Sequence, residues 1–243
     1  VLAGLTQLYA YSSGTSMAAP HVSGAAAIVA QYNLKPLEIK ALLINSAEDK
    51  GTEAWDKEYG WGYLDLGKAF ENKNNTILST INEAHYVFYK IKNMLEGEKA
   101  TLVWNRHIVY NGDVPDTAYP LNNLDLALYN EYDNAFIAAS TSLLDNVEQI
   151  TSDQESSVVV KIKAITENFY HDSDNETFAL ATEQPYTQAM GPVLSAHALP
   201  GSTNESGVVM VTLNNSGDLN AHNITVSLNL PQDMTANISS YVL

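Results

Sequence analysis

The chain is organised around one stretch, Ser13-Gly14-Thr15-Ser16-Met17-Ala18-Ala19-Pro20-His21-Val22-Ser23-Gly24. Gly14 permits a tight turn, and Ser16 follows it at the start of a run of small apolar residues that favours a helix. The hydroxyl of Ser16 is therefore predicted to lie at the positive end of a helix dipole, beside backbone N–H groups without a helical partner. A nucleophile for acyl transfer needs this environment, because an oxyanion forms next to it during the reaction.

The run Gly-Thr-Ser-Met-Ala-x-Pro-His closely resembles the nucleophile motif of the subtilisin-like serine proteases, or subtilases. The resemblance implies that Ser16 attacks the scissile carbonyl and forms an acyl-enzyme. Subtilases supply their triad in the order Asp, His, Ser. The Asp, the His and the oxyanion-hole Asn are therefore expected upstream of Val1, and the chain is expected to be a fragment that is inactive alone.

His21 is the nearest candidate base, but it lies five residues beyond Ser16. Five helical steps point its side chain roughly 140° away from Ser16 around the helix. We therefore predict a packing role for His21 and no catalytic one.

Two further helical segments follow the nucleophile motif. Pro36 at a first helical position predicts a helix over residues 37–47. Residues 59–70 resemble the turn and last helix that close a subtilase catalytic domain, where their role is packing. Residues 1–72 are accordingly predicted to be the C-terminal part of an α/β subtilisin-like catalytic domain.

From residue 76 the pattern changes to short β-rich runs separated by Gly, Asn, Asp and Pro clusters, at 86–91, 100–104, 124–129, 135–139, 158–164 and 177–181. This spacing predicts an antiparallel sandwich. The order of the runs resembles the β-jelly-roll module that follows the catalytic domain in some subtilases, and is similar in kind to the P domain of proprotein convertases. We predict a jelly-roll domain over residues 76–186.

Residues 190–243 contain two strand-like runs, at 207–217 and 222–231. They resemble the opening strands of an immunoglobulin-like repeat, so this segment is predicted to be a partial immunoglobulin-like β-domain. The predicted fold class is therefore multidomain: an α/β catalytic remnant, an all-β jelly roll and part of an immunoglobulin-like domain.

A candidate metal site lies in the predicted jelly roll. Leucines at 124, 126 and 128 alternate with polar or small residues, which places Asn123 and Asp125 on the face opposite the leucines. Clustered Asn and Asp oxygens suit Ca²⁺, a hard cation with six to eight oxygen ligands. Asn146 and Glu148 are further candidate ligands, and a solvated polar edge without an ion is the alternative interpretation.

The composition and net charge of the chain argue against some classes of binding partner. The 243 residues carry 28 acidic and 12 basic side chains, a formal charge of −16, which argues against nucleic acid or an anionic membrane as partner. The longest apolar run, residues 24–30, is too short to cross a bilayer, so no membrane insertion is expected. Six N-x-[ST] sequons, the first at Asn74, suit a secreted or cell-surface protein.

The sequence therefore predicts part of an exported serine endopeptidase that acts on protein or peptide substrates through Ser16. The alternative is a cell-surface adhesion or structural protein in which a degenerate, non-catalytic protease core supports the β domains. The presence of the triad Asp and His upstream would distinguish the two.

Overall fold

Three helices precede fifteen strands in the computed structural model of the protein, which describes residues 11–118, 121–165, 175–192, 194–201, 208–221, 224–227 and 240–242.

The helices lie in the segment that resembles a protease. α1 spans Thr15–Ala30, α2 spans Pro36–Ser46 and α3 spans Leu66–Asn72. Gly14 precedes α1 with φ of 130°, a conformation that favours glycine. Asp65 caps α3 by accepting a 2.9 Å hydrogen bond from the N–H of Lys68.

Pro20 lies at the sixth position of α1, inside the helix. It has no N–H, so the i→i−4 hydrogen bond to the carbonyl of Ser16 is missing.

Nine strands form two antiparallel sheets. The four-stranded sheet has the order β1 (Thr76–Asn82), β10 (Asn175–Thr182), β3 (Lys99–Trp104), β8 (Val147–Thr151). The five-stranded sheet has the order β11 (Tyr186–Ala189), β2 (Tyr86–Met94), β9 (Ser156–Ala164), β6 (Leu124–Asn130), β7 (Phe136–Ser140). All pairings within these sheets are antiparallel.

Three strand pairs lie outside the two large sheets. They are β4 (Ile108–Asn111) with β5 (Val114–Ala118), β12 (Leu194–Gly201) with β13 (Val208–Asn215), and β14 (Thr225–Ser227) with β15 (Ser240–Val242). Much of the segment predicted to be immunoglobulin-like lies outside the described residues.

The main core contains the inward side chains of both large sheets. Trp104 and Phe178 from the four-stranded sheet and Tyr89 from the five-stranded sheet belong to it, together with the predicted leucine row of β6. Leu124, Leu126 and Leu128 are fully buried, as the alternating pattern predicts. The two sheets around a shared core are compatible with a β-sandwich.

The outer face of the four-stranded sheet is covered by α2. Leu37 and Ala41 of this helix share a buried apolar cluster with Val103, Ala179 and Ala181 of the sheet. Polar contacts flank the cluster. The hydroxyl of Thr101 donates to the amide oxygen of Asn45 at 2.8 Å, and Lys99 Nζ donates to the carbonyl of Ala47 at 2.5 Å.

The opposite side of α2 packs against the other helices. Leu42 and Leu43 form a cluster with Ala25 and Val29 of α1 and Ala69 of α3. The protease-like segment is thus joined to the β-sandwich through α2, although the sequence places a domain boundary at residues 72–76.

Candidate functional site

Ser16 is the second residue of α1 and is exposed to solvent. The N–H groups of Met17 and Ala18 both donate to the carbonyl of Gly14, at 3.0 and 3.1 Å. The N–H groups of Thr15 and Ser16 precede these first donors and so have no intrahelical acceptor. The hydroxyl of Ser16 thus lies at the positive end of the α1 dipole, next to two N–H groups that have no acceptor within the helix.

The side chain of His21 contacts the backbone of its own helix. Its Nδ1 lies 2.6 Å from the carbonyl oxygen of Met17, four residues earlier. Within the described ranges no side chain makes a hydrogen bond to the hydroxyl of Ser16. A base for Ser16 must therefore be supplied from elsewhere if the serine is to react.

Two other histidines with described side-chain contacts, His85 and His107, lie in the β-rich region. His85 Nδ1 lies 2.7 Å from the carbonyl of Glu83. His107 Nε2 lies 2.8 Å from a carboxylate oxygen of the buried Glu176, which also accepts from the amide of Asn122 at 2.7 Å. His171 and His222 lie outside the described ranges.

Three of the four residues of the candidate metal site lie in one neighbourhood. Asn123 is 5% exposed, and its amide nitrogen is 3.5 Å from a carboxylate oxygen of Asp125. The amide oxygen of Asn123 is buried and has no hydrogen-bond partner in the part of the chain that is described. An acceptor left unpaired in the interior is costly, so this oxygen is available to a cation or a water.

Glu148 is the most buried carboxylate of this neighbourhood, with 1% of its surface exposed. Its carboxylate accepts from the hydroxyl of Ser140 and, at 2.6 Å, from the N–H of Ser142. The pKa of Glu148 is raised to about 7, mainly by burial. The donors Ser140 and Ser142 lower this pKa, and the charges of Asp125 and Asp145 raise it. Burial also raises the pKa of Asp125, while Lys163 lowers it.

Asn146 has a different environment. Its amide donates to the carbonyl of Trp104 at 2.7 Å, and its side chain lines a groove shared with Lys40 and Trp55. No cluster of three or more His, Cys, Asp or Glu side chains able to share a metal ion is present among the described residues.

No motif in the sequence indicates that Ser140, at the end of β7, and Ser142, in the loop that follows, contact Glu148.

Comparison with known proteins places the similarity in the N-terminal segment. Residues 3–62 match the subtilase family, peptidase S8. Fervidolysin of Fervidobacterium pennivorans is 45% identical over 65 residues, which is 26% of this chain and 9% of that protein.

Two further relatives match stretches of similar length. An extracellular serine protease of Serratia marcescens is 37% identical over 82 residues, 32% of this chain and 8% of that protein. The autotransporter lipoprotein NalP of Neisseria meningitidis serogroup B is 39% identical over 59 residues, 24% of this chain and 6% of that protein. The matched stretches thus span less than a tenth of each relative's length.

The family match covers residues 3–62, which include Ser16, and it ends before the β-rich region. None of the described helices has the length and apolar character needed to cross a membrane.

Proposed function

We propose that the chain is the C-terminal portion of an exported subtilisin-like serine endopeptidase, in which Ser16 is the nucleophile. The observation that carries this proposal is the Ser16 hydroxyl at the open N-terminus of α1, within a segment that matches the subtilase family. Ser16 would attack the scissile carbonyl, and the N–H groups at the helix start would stabilise the oxyanion. The base and the residue that orients it would come from polypeptide preceding Val1.

The surface of α1 supports this placement. Met17, Val22 and Ile28 are 40, 48 and 44% exposed, whereas Ala25 and Val29 of the same helix are buried. Three exposed apolar side chains on one helix are suited to burial against the remainder of a catalytic domain.

The test uses the full-length protein and two serines of the same helix. Ser16→Ala should abolish hydrolysis of casein, because the acyl-enzyme cannot form. Ser23→Ala is the matched control, since the hydroxyl of Ser23 only donates to the carbonyl of Ala19 within the helix, and it should retain activity. The 243-residue chain alone should be inactive. If the full-length protein shows no hydrolysis that depends on Ser16, this result would favour the alternative, a cell-surface adhesion or structural protein.

We further propose that residues 76–186 form a jelly roll. Apart from the β4–β5 pair, consecutive strands from β1 to β10 alternate between the two sheets except at β6 and β7, which pair with each other. This alternation supports a double-sheet jelly roll. The immunoglobulin-like character of residues 190–243 remains part of the proposal and rests on the sequence pattern.

Calcium is the proposed structural cofactor of this domain. The unpaired amide oxygen of Asn123, the carboxylate of Asp125 and the buried carboxylate of Glu148 form a donor set of oxygens, which suits Ca²⁺. Asn146 is retained as a candidate ligand through its amide oxygen. An ion would neutralise carboxylates that otherwise repel each other.

The proposed substrates are proteins or peptides, and the proposed location is outside the cell or on its surface. Two of the relatives support this location through their names, an extracellular protease and an autotransporter.

A further inference from the structure

A cavity of about 280 Å³ opens on the outer face of the five-stranded sheet. Its apolar lining comes from Phe88 of β2, Val159 of β9 and Tyr129 of β6, and from Leu219 of the segment that follows β13. Leu219 is 9% exposed and shares a buried cluster with these side chains. The cavity therefore lies between the five-stranded sheet and the segment that follows β13, and neither Ser16 nor a candidate calcium ligand is among its lining residues.

One cation lines this cavity. Lys161 extends from β9 with its Nζ 4.3 Å from the ring centre of Tyr86 and 5.8 Å from that of Tyr129. In the described part of the chain no carboxylate lies within ion-pair distance of Lys161.

Lys90 of the same sheet differs from Lys161 in this respect. Lys90 pairs with Glu131 at 3.3 Å, and Lys163 lies opposite Asp125 in the β6–β9 register. Burial lowers the pKa of Lys161, and the charge of Lys163 lowers it further. An anion beside this partly desolvated ammonium would offset both effects.

Pro192 and the side-chain amides of two asparagines complete the lining. Asn134 and Asn220 each carry a carboxamide, which can donate and accept hydrogen bonds. The amide nitrogen of Asn220 also donates to the carbonyl of Tyr132 at 3.3 Å. A peptide main chain can use both functions, whereas the tail of a free fatty or aromatic acid has no polar group to offer them.

We propose that this cavity binds the C-terminal carboxylate of a peptide whose last side chain is apolar. Lys161 pairs with the carboxylate, the aromatic and aliphatic walls hold the side chain, and the two amides hydrogen-bond the preceding peptide group. The volume is close to the lower end of the range for small-molecule sites, about 300–1,000 Å³, which suits a single terminal residue and its amide. The site stands independently of the nucleophile assigned to Ser16.

The test measures binding of N-acetyl-glycyl-phenylalanine to the full 243-residue chain by titration calorimetry at pH 7. The peptide with a free carboxylate should bind, and its C-terminal amide should bind at least tenfold more weakly. Lys161→Met should weaken binding of the acid at least tenfold, and Lys161→Arg should retain it within fivefold. The matched control is Lys92→Met, which removes the same charge from the same sheet outside this cavity and should change the affinity less than twofold.

A second variant leaves Lys161 in place. Asn134→Asp adds a carboxylate to the cavity, so it should weaken binding of the acid more than binding of the amide. Equal affinities for acid and amide, equal losses in the Lys161 and Lys92 variants, or no binding of the acid at millimolar concentration would overturn the proposal. Binding of 3-phenylpropionate as tightly as the peptide would also overturn it, because the site would then be one for free apolar acids.

Discussion

Glu148 is the residue whose environment has the clearest measurable consequence. In the folded protein it keeps its proton up to about pH 7, whereas in the unfolded chain it loses the proton near its ordinary pKa of 4.5. A carboxyl with a raised folded pKa stabilises the fold below its unfolded pKa, and this contribution is lost as pH rises through the folded pKa. Without calcium, the free energy of unfolding should therefore fall between about pH 4.5 and 7, by at most about 3 kcal/mol.

Glu148→Gln isolates this effect, because glutamine resembles the protonated acid at every pH and can still accept from Ser142. In chelator, the variant should match wild type near pH 4.5 and be more stable above pH 7. Urea unfolding at several pH values measures the difference, with the exposed Glu155→Gln as control. Parallel pH profiles for wild type and Glu148→Gln would show that Glu148 is not proton-linked to folding.

Asp125 provides the corresponding prediction for calcium. A ligand that binds only the folded state stabilises it by about 2.7 kcal/mol at a hundredfold excess over its dissociation constant. Millimolar Ca²⁺ should raise the midpoint of thermal unfolding, chelator should lower it, and Asp125→Ala should remove most of the difference. The calcium effect should increase from pH 5 to 8, because the ion requires Glu148 to be ionised.

Screening of the net charge of −16 would also stabilise the protein, so NaCl at equal ionic strength and Mg²⁺ are the controls. If either reproduces the whole shift, the polar edge is solvated and no specific calcium site exists.

At the scale of elements, the periodic segments could be predicted closely from the sequence. The helix predicted over 37–47 is α2 (Pro36–Ser46), and the strand predicted over 100–104 is β3 (Lys99–Trp104). β8 could not be predicted as a strand, because Val-Glu-Gln-Ile-Thr is short and carries the buried polar Glu148. Its buried carboxylate depends on two serine donors, a tertiary arrangement that no local pattern shows.

The sequence pattern also does not predict that α2 packs onto the four-stranded sheet. All six residues of β3 are buried, which shows that both of its faces are covered. A continuous apolar run is typical of such a strand, but it does not identify the covering element. The sequence pattern therefore supports a domain boundary near residue 72. In the structure, α2 packs both against the other helices and against the four-stranded sheet, and so connects the segments on either side of that boundary.

A substitution at Ala41 tests the contact between α2 and the four-stranded sheet. Ala41 is fully buried between α2 and the sheet, so Ala41→Asp should lower the free energy of unfolding by at least about 3 kcal/mol, because it buries an unpaired charge. Lys40→Asp is the control on the exposed neighbouring position and should have a much smaller effect. Urea unfolding followed by tryptophan fluorescence reports on the helical segment through Trp61 beside α2, and on the sandwich through Trp104 in its core. A small loss for Ala41→Asp would show that α2 and the sheet are not coupled.

At the scale of the whole molecule, the chain combines a short subtilase-like segment with a larger β-rich region. The helix start that carries Ser16 could be predicted from contiguous residue types, because a helix start and its dipole are local features. The catalytic partners of Ser16 could not be located, because a triad is assembled from distant parts of a chain. The proposed function therefore requires that Ser16 becomes reactive when the rest of the catalytic domain is present.

Labelling with a serine-directed fluorophosphonate tests this claim most directly. The full-length protein is treated with the probe, digested and examined by mass spectrometry, alongside the Ser16→Ala variant and the 243-residue chain. We predict modification at Ser16 in the full-length protein, and no modification of that peptide in the variant or in the chain alone. A full-length protein that is unmodified at Ser16, or that is modified at another serine in its place, would contradict the assignment of Ser16 as the nucleophile.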